Sequence, residues 1–144
     1  MNNNEHERLY EEIDKIPGKE YVKIPATKRT PKIMLDRTGE EGMIQFLGRS
    51  LTANARRFYN PILSWIQEYV SYPHQKTFVR FRLEYYNTAS SKMLIQIIRK
   101  LEKLEKYNKN VVIEWCYMED DESILQLGKT FQDLTNVKLN FVCY

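Results

Sequence analysis

Apolar positions along this chain follow two alternating periods. "KIMLD" (residues 32–36) and "MIQFLG" (43–48) have strand character, and Arg37-Thr-Gly-Glu-Glu-Gly42 between them carries turn chemistry, so an antiparallel hairpin is expected. Phe58, Ile62, Trp65, Ile66 and Tyr69 then recur at offsets of 4, 7, 8 and 11, which is one face of a helix. Pro61 inside that stretch removes a backbone donor and predicts a kink or a late start. "TFVRFRLEYY" (77–86) reads as a strand. The next helix turns Leu94, Ile97, Ile98, Leu101 and Leu104 to the core and leaves Lys100, Lys103 and Lys106 outside. "VVIEWCYM" (111–118) is another strand. "DDESILQLGKTFQDL" (120–134) forms a helix with Ile124, Leu127, Phe131 and Leu134 on one face, and "KLNFVCY" (138–144) closes the chain as a strand.

The order β-β-α-β-α-β-α-β defines an α/β class. Strand–helix–strand units of this length favour parallel pairing through right-handed crossovers, giving a mixed sheet of about five strands covered by helices. Residues 30–144 are expected to form that domain. Residues 1–29 read as a polar arm with room for one short helix, since Leu9, Ile13 and Ile16 share a face before Pro17-Gly18 stops it. Its charge supports an appendage: residues 1–22 hold six acidic and three basic side chains, whereas 23–37 hold five basic ones against Asp36 alone. The arm is expected to be loosely docked at best.

Composition narrows the function classes. A chain of 144 residues, 42% hydrophobic and 28% charged, can bury one real core and is not disordered. A net charge of +3 does not by itself imply nucleic acid. No apolar run approaches the roughly 18–20 residues that span a bilayer, and the N-terminus lacks an apolar signal region, so a cytoplasmic protein is expected. Cys116 and Cys143 lie in strand-like runs without CxxC spacing and read as reduced, buried thiols.

Catalytic signatures are missing. GxGxxG, GxxxxGK[ST], HExxH and GxSxG do not occur. The two histidines, His6 and His74, fall in the N-terminal arm and in a Pro-flanked loop, so a histidine-based acid/base site is not expected. Glu119-Asp120-Asp121-Glu122 reads as helix capping rather than as a metal site, because acids at a helix start satisfy free N–H groups and oppose the positive dipole end. The basic stripe Lys92, Arg99, Lys100, Lys103, Lys106, Lys109 is broken by Glu102 and Glu105, whose i,i+4 spacing to Lys106 and Lys109 suits a solvated face. A nucleic-acid-binding module with this basic helix face is the alternative from a different class, and nucleic acid is the less favoured partner.

The densest chemistry sits in "LEYYNTASSKMLIQIIRKLEK" (83–103), where a strand turns directly into a helix through Asn87, Thr88, Ala89, Ser90 and Ser91. One hydroxyl suffices to cap a helix and stabilises it by about 1 kcal/mol. The others are left without a structural reason. A phosphoryl group at a helix N-terminus is electrostatically favourable, and Lys92, four residues after Thr88, could pair with it. Residue chemistry alone favours plain capping.

A resemblance changes that balance. "TPKIMLD", "GRSLTANARRFYNPILSWIQEYV", "LEYYNTASSKMLIQIIRKLEKL" and "VVIEWCYMEDDESILQLGKTFQDL", in this order and spacing, resemble the SiaC family of bacterial regulatory phosphoproteins over about Thr30 to Tyr144. The most specific pieces are the Asn-Thr-x-Ser-Ser-Lys corner and the W-x-Y formed by Trp115 and Tyr117. Two departures are Leu51-Thr-Ala-Asn54, where the family usually has Tyr-Pro-Glu-Asn, and Ala89, where it usually has a second Ser. The resemblance implies a non-enzymatic, cofactor-free switch with a fold similar to anti-sigma-factor antagonists of the STAS-like type. It implies phosphorylation at Thr88, with Asn87, Ser90, Ser91 and Lys92 on the partner-binding surface. The implied partners are a Ser/Thr protein kinase, a PP2C-type phosphatase and a diguanylate cyclase that the unmodified protein promotes, raising cyclic di-GMP and biofilm formation. A sigma-factor regulator as the target is the alternative within the same class.

Overall fold

Six strands hydrogen-bond in chain order: β1 (Tyr21–Ile24), β2 (Lys32–Asp36), β3 (Glu41–Ser50), β4 (Lys76–Tyr86), β5 (Asn110–Tyr117) and β6 (Asn140–Cys143). This computed structural model describes residues 3–107 and 109–144. The first three strands pair antiparallel and the last four parallel. The expected hairpin is β2–β3, in register from Lys32–Leu47 to Asp36–Met43. Each parallel step is made by a crossover helix: α2 (Ala55–Ser71), α3 (Thr88–Lys106) or α4 (Glu122–Leu134). Right-handed crossovers between sequential strands place all three on one face of the sheet. Ile44, Phe46, Val79, Phe81, Leu83, Ile113 and Trp115 point into that layer and are buried. The strands thus number six where sequence predicted about five.

Periodicity located the helix faces well. In α3, Leu94, Ile97, Ile98, Leu101 and Leu104 are all fully buried. In α2 the apolar face runs from Phe58 to Val70 on both sides of Pro61, and the helix starts at an Asn54 cap, whose Oδ1 accepts from the Arg57 N–H at 3.2 Å. The expected late start does not occur. Proline inside a helix costs about 3 kcal/mol, whereas each large apolar side chain that α2 buries contributes about 1.5–3 kcal/mol.

Three expectations are corrected. The N-terminal segment is no loose appendage: α1 (Asn3–Asp14) buries Leu9, Tyr10 and Ile13, Ile16 follows fully buried, and all join the one hydrophobic core. Pro17-Gly18 then turns the chain, Gly18 taking φ 87°, and the Lys19 carbonyl accepts from Trp65 Nε1 at 2.6 Å. In α4 the buried line is Ile124, Gly128 and Phe131, with Leu127 half-buried, while Leu134 is 59% exposed. α4 lies so close over the Trp115 indole that a Cβ on Gly128 would stand 2.6 Å from the ring, and Leu134, the last residue of α4, falls outside the inward line of Ile124, Gly128 and Phe131. Cys116 is buried as expected, but Cys143 is exposed because β6 is a four-residue edge strand.

Candidate functional site

Asn87 ends β4 in extended conformation (φ −108°, ψ 170°), and Thr88 begins α3. The expectation that a hydroxyl caps this helix is wrong: the cap is Asn87, whose Oδ1 accepts from the Ser90 N–H at 2.8 Å. Its Nδ2–H donates to the Thr52 carbonyl at 3.0 Å, its backbone N–H to the Ser50 carbonyl at 3.1 Å, and its carbonyl accepts from Ser91 N–H at 3.0 Å. Each polar atom of Asn87 therefore makes one bond inside the protein. It shapes the corner, and its half-exposed amide keeps a second N–H.

Gly48, at φ 121°, precedes a register shift, so that Gly48 pairs with Leu83 but Arg49 with Tyr85, skipping Glu84. One extra residue on a strand reverses which face the following side chains take. The extra residue lies on β4 and brings Tyr86 opposite Ser50, while Ser50 shares the helix-facing side of β3 with Ile44 and Phe46. Its Oγ donates to Ser90 Oγ at 2.7 Å, and Ser90 Oγ donates to the Ser50 carbonyl at 2.9 Å. The single Ser50 proton being used, the Tyr59 hydroxyl at 2.6 Å must be the donor to Ser50. Burial pushes the Tyr59 hydroxyl well above the usual phenol pKa range, which keeps that proton in place.

The hydroxyls that look alike in sequence thus separate. Ser90, expected on the partner surface, is fully buried and locked in this network. Ser91 is half-buried and donates to the Thr88 carbonyl at 2.7 Å. Thr88 is exposed, and its hydroxyl has no hydrogen bond among the described residues. Lys92, one turn on, is exposed, and its ammonium makes no ion pair among the described residues. A groove of about 550 Å³ separates this corner from the start of α4, lined by Glu84, Tyr85, Tyr86, Asn87, Thr88, Asp121, Ser123 and Ile124. Glu84 pairs with Arg49 at 3.3 Å, and Asp121 caps α4 by accepting from Ile124 N–H at 3.0 Å. The acidic run at 119–122 thus holds a cap, and no cluster of metal-ligating side chains occurs among the described residues. On the basic stripe, Glu102 accepts from the Asn136 N–H and Lys109 donates to Gln75, so the face is tied to its neighbours. No helix among the described residues is long and apolar enough to cross a membrane.

Helices on one face of a sequentially ordered mixed sheet, with a capped strand-to-helix corner at its edge, define the class: a single-domain α/β protein. Residues 24–144 match the SiaC family of regulatory phosphoproteins, and the chain belongs to that family. The family is one of regulatory proteins. The chain is similar to SiaC of Pseudomonas aeruginosa as seen in a crystal structure with the diguanylate cyclase SiaD, of which SiaC is the activator. The TM-score is 0.76 at 22% identity, covering 85% of this chain and 99% of that one. Against apo-SiaC of the same organism the TM-score is 0.74 at 22% identity, with 86% and 99% covered. An uncharacterized protein of Pseudomonas aeruginosa (strain UCBPP-PA14) is 26% identical over 110 residues, 76% of this chain and 86% of that relative.

Proposed function

We propose that this chain is a phospho-switch: unmodified, it binds and promotes a diguanylate cyclase, and a phosphate on Thr88 releases that partner. The observation carrying the reading is that Thr88 alone among the corner hydroxyls is both exposed and free of hydrogen bonds within the described residues. A kinase needs a hydroxyl it can reach, and modifying this one breaks no internal bond. Membership of a family of regulatory phosphoproteins and the activator role of Pseudomonas aeruginosa SiaC support the same reading. A Ser/Thr protein kinase and a PP2C-type phosphatase are the partners that would write and erase the mark, and the output is cyclic di-GMP and with it biofilm formation.

The electrostatics favour release over ordering. A phosphate adds about −1.5 to −2 charges, and the groove it enters is already lined by Glu84 and Asp121. Arg49 beside the groove is already paired with Glu84, and Lys92 follows one turn along. A partner docked over Thr88 therefore meets like-charge repulsion and a desolvation cost of a few kcal/mol, enough for a roughly hundredfold loss of affinity. Lys92 and the rim of Tyr85 and Ser91 are the remaining candidates for partner contact.

The test is phosphosite mapping with the cognate kinase, followed by cyclase assays with wild-type, Thr88→Ala and phosphorylated protein. Phosphate on Thr88, with Thr88→Ala still stimulating the cyclase and escaping inactivation, is the expected result. Phosphate on Ser91 with Thr88→Ala fully modified, or equal stimulation by phosphorylated and unphosphorylated protein, overturns the proposal.

A further inference from the structure

The family match begins at residue 24, yet Tyr10, ahead of it, reaches the loop that holds the switch corner. Tyr10 of α1 is 3% exposed, and its hydroxyl lies 3.3 Å from Thr52 Oγ1. Its ring carries the Arg57 guanidinium at 4.3 Å, and Arg57 stands 3.8 Å from Asp14 at the end of α1. Thr52 is buried and works on both sides. Its Oγ1 accepts from the Asn54 N–H at 3.3 Å, at the cap of α2, while its carbonyl accepts from Asn87 Nδ2–H at 3.0 Å. Asn87 in turn holds the first turn of α3, where Thr88 sits.

We infer that Tyr10 and Thr52 are positioning residues for the Thr88 corner, and that α1 and the first turn of α3 are thermodynamically coupled through them. The loop 51–54 is clamped between two elements: α1 grips its side chain and Asn87 its backbone. Loosening α1 frees Thr52, which weakens the bond that keeps Asn87 in capping geometry. Because coupling between two sites is reciprocal, opening the first turn of α3 must loosen α1 by the same free energy. The buried Ser50–Ser90–Tyr59 chain holds the corner independently of Thr52, so loss of the clamp frees the first turn without melting α3. For function the inference rests on Thr88 being the switch residue. The coupling itself does not, and it can be measured on the protein alone.

The measurement is site-resolved hydrogen exchange on the full chain. Tyr10→Phe keeps the ring and removes the hydroxyl, and Thr52→Val removes Oγ1 while keeping the carbonyl. Both should speed exchange at Ser90 and Ser91 about three- to tenfold, the factor expected for one ordinary hydrogen bond, with Ile97 and Leu101 in the same helix unchanged. Thr52→Ser, which restores the hydroxyl, should return the wild-type rates. Ile113→Val, a core change outside the clamp, should raise exchange without preference for the corner. In the reverse direction, Asn87→Ala, which removes the bond to the Thr52 carbonyl, should speed exchange at Tyr10 to Ile13. Corner amides that stay at wild-type rates in Tyr10→Phe, or a uniform rise across the chain, overturn the inference. Phosphate mapped to another residue would remove the switch reading but leave these exchange results standing.

Discussion

Asn87→Ala and Thr88→Ala give opposite results if the corner works as its hydrogen bonds indicate. Asn87→Ala removes the cap on Ser90 N–H and the bond to the Thr52 carbonyl. Loss of an N-cap side chain costs about 1 kcal/mol. Loss of a partly buried amide–carbonyl bond costs about 0.5–1.5 kcal/mol more. The sum is about 2 kcal/mol. Thr88→Ala removes an exposed hydroxyl without a partner, so its stability should stay within about 0.5 kcal/mol of wild type. The higher helix propensity of alanine further offsets any loss. Ser90→Ala belongs with Asn87→Ala, since it strands the Ser50 hydroxyl in a buried network at a cost of about 1–3 kcal/mol. Urea unfolding with a common slope for all three variants reads the differences directly. If Thr88→Ala loses as much as Asn87→Ala, then Thr88 carries structural load, and the free, modifiable hydroxyl on which the proposed switch depends does not exist.

Leu101→Ala, at a fully buried position, should destabilise by about 2–5 kcal/mol, and the neighbouring Lys100→Ala by less than about 0.5 kcal/mol; equal melting shifts for the two would refute the face assigned to α3. Gly128→Ala should destabilise by about 1–3 kcal/mol, against the usual gain from replacing a helical glycine, because the added methyl meets Trp115. Calorimetry showing a stabilised Gly128→Ala protein would mean that α4 does not sit on the indole. Ile13→Ala should cost about 2–5 kcal/mol in the same cooperative transition as the rest of the domain; an N-terminal helix that melts separately, with the main transition unmoved, would contradict its place in the core.

The periodic content of this chain was decided locally. The spacing of Leu94, Ile97, Ile98, Leu101 and Leu104 names a helix face whatever surrounds it, because 3.6 residues per turn is a property of the backbone. Strand runs such as "KIMLD" and the Thr88 corner between "LEYY" and "KMLIQII" were legible for the same reason. What remained hidden depended on partners distant in sequence. β1 is four residues long, too short for its alternation to stand out from the basic stretch around it. The docking of α1 depends on a core surface that α2 and the sheet create together. Leu134 is as apolar as Phe131, yet Phe131 packs edge-on against Trp115 while Leu134, at the end of α4, stays exposed. The corner shows the division most sharply. Thr88, Ser90 and Ser91 offer nearly the same hydroxyl along the chain. Ser50, 40 residues earlier at the end of β3, captures Ser90, and Asn87 takes the cap, leaving Thr88 in solvent. Hydrogen-bond satisfaction is settled by proximity in space, so tertiary structure decided which hydroxyl is left free.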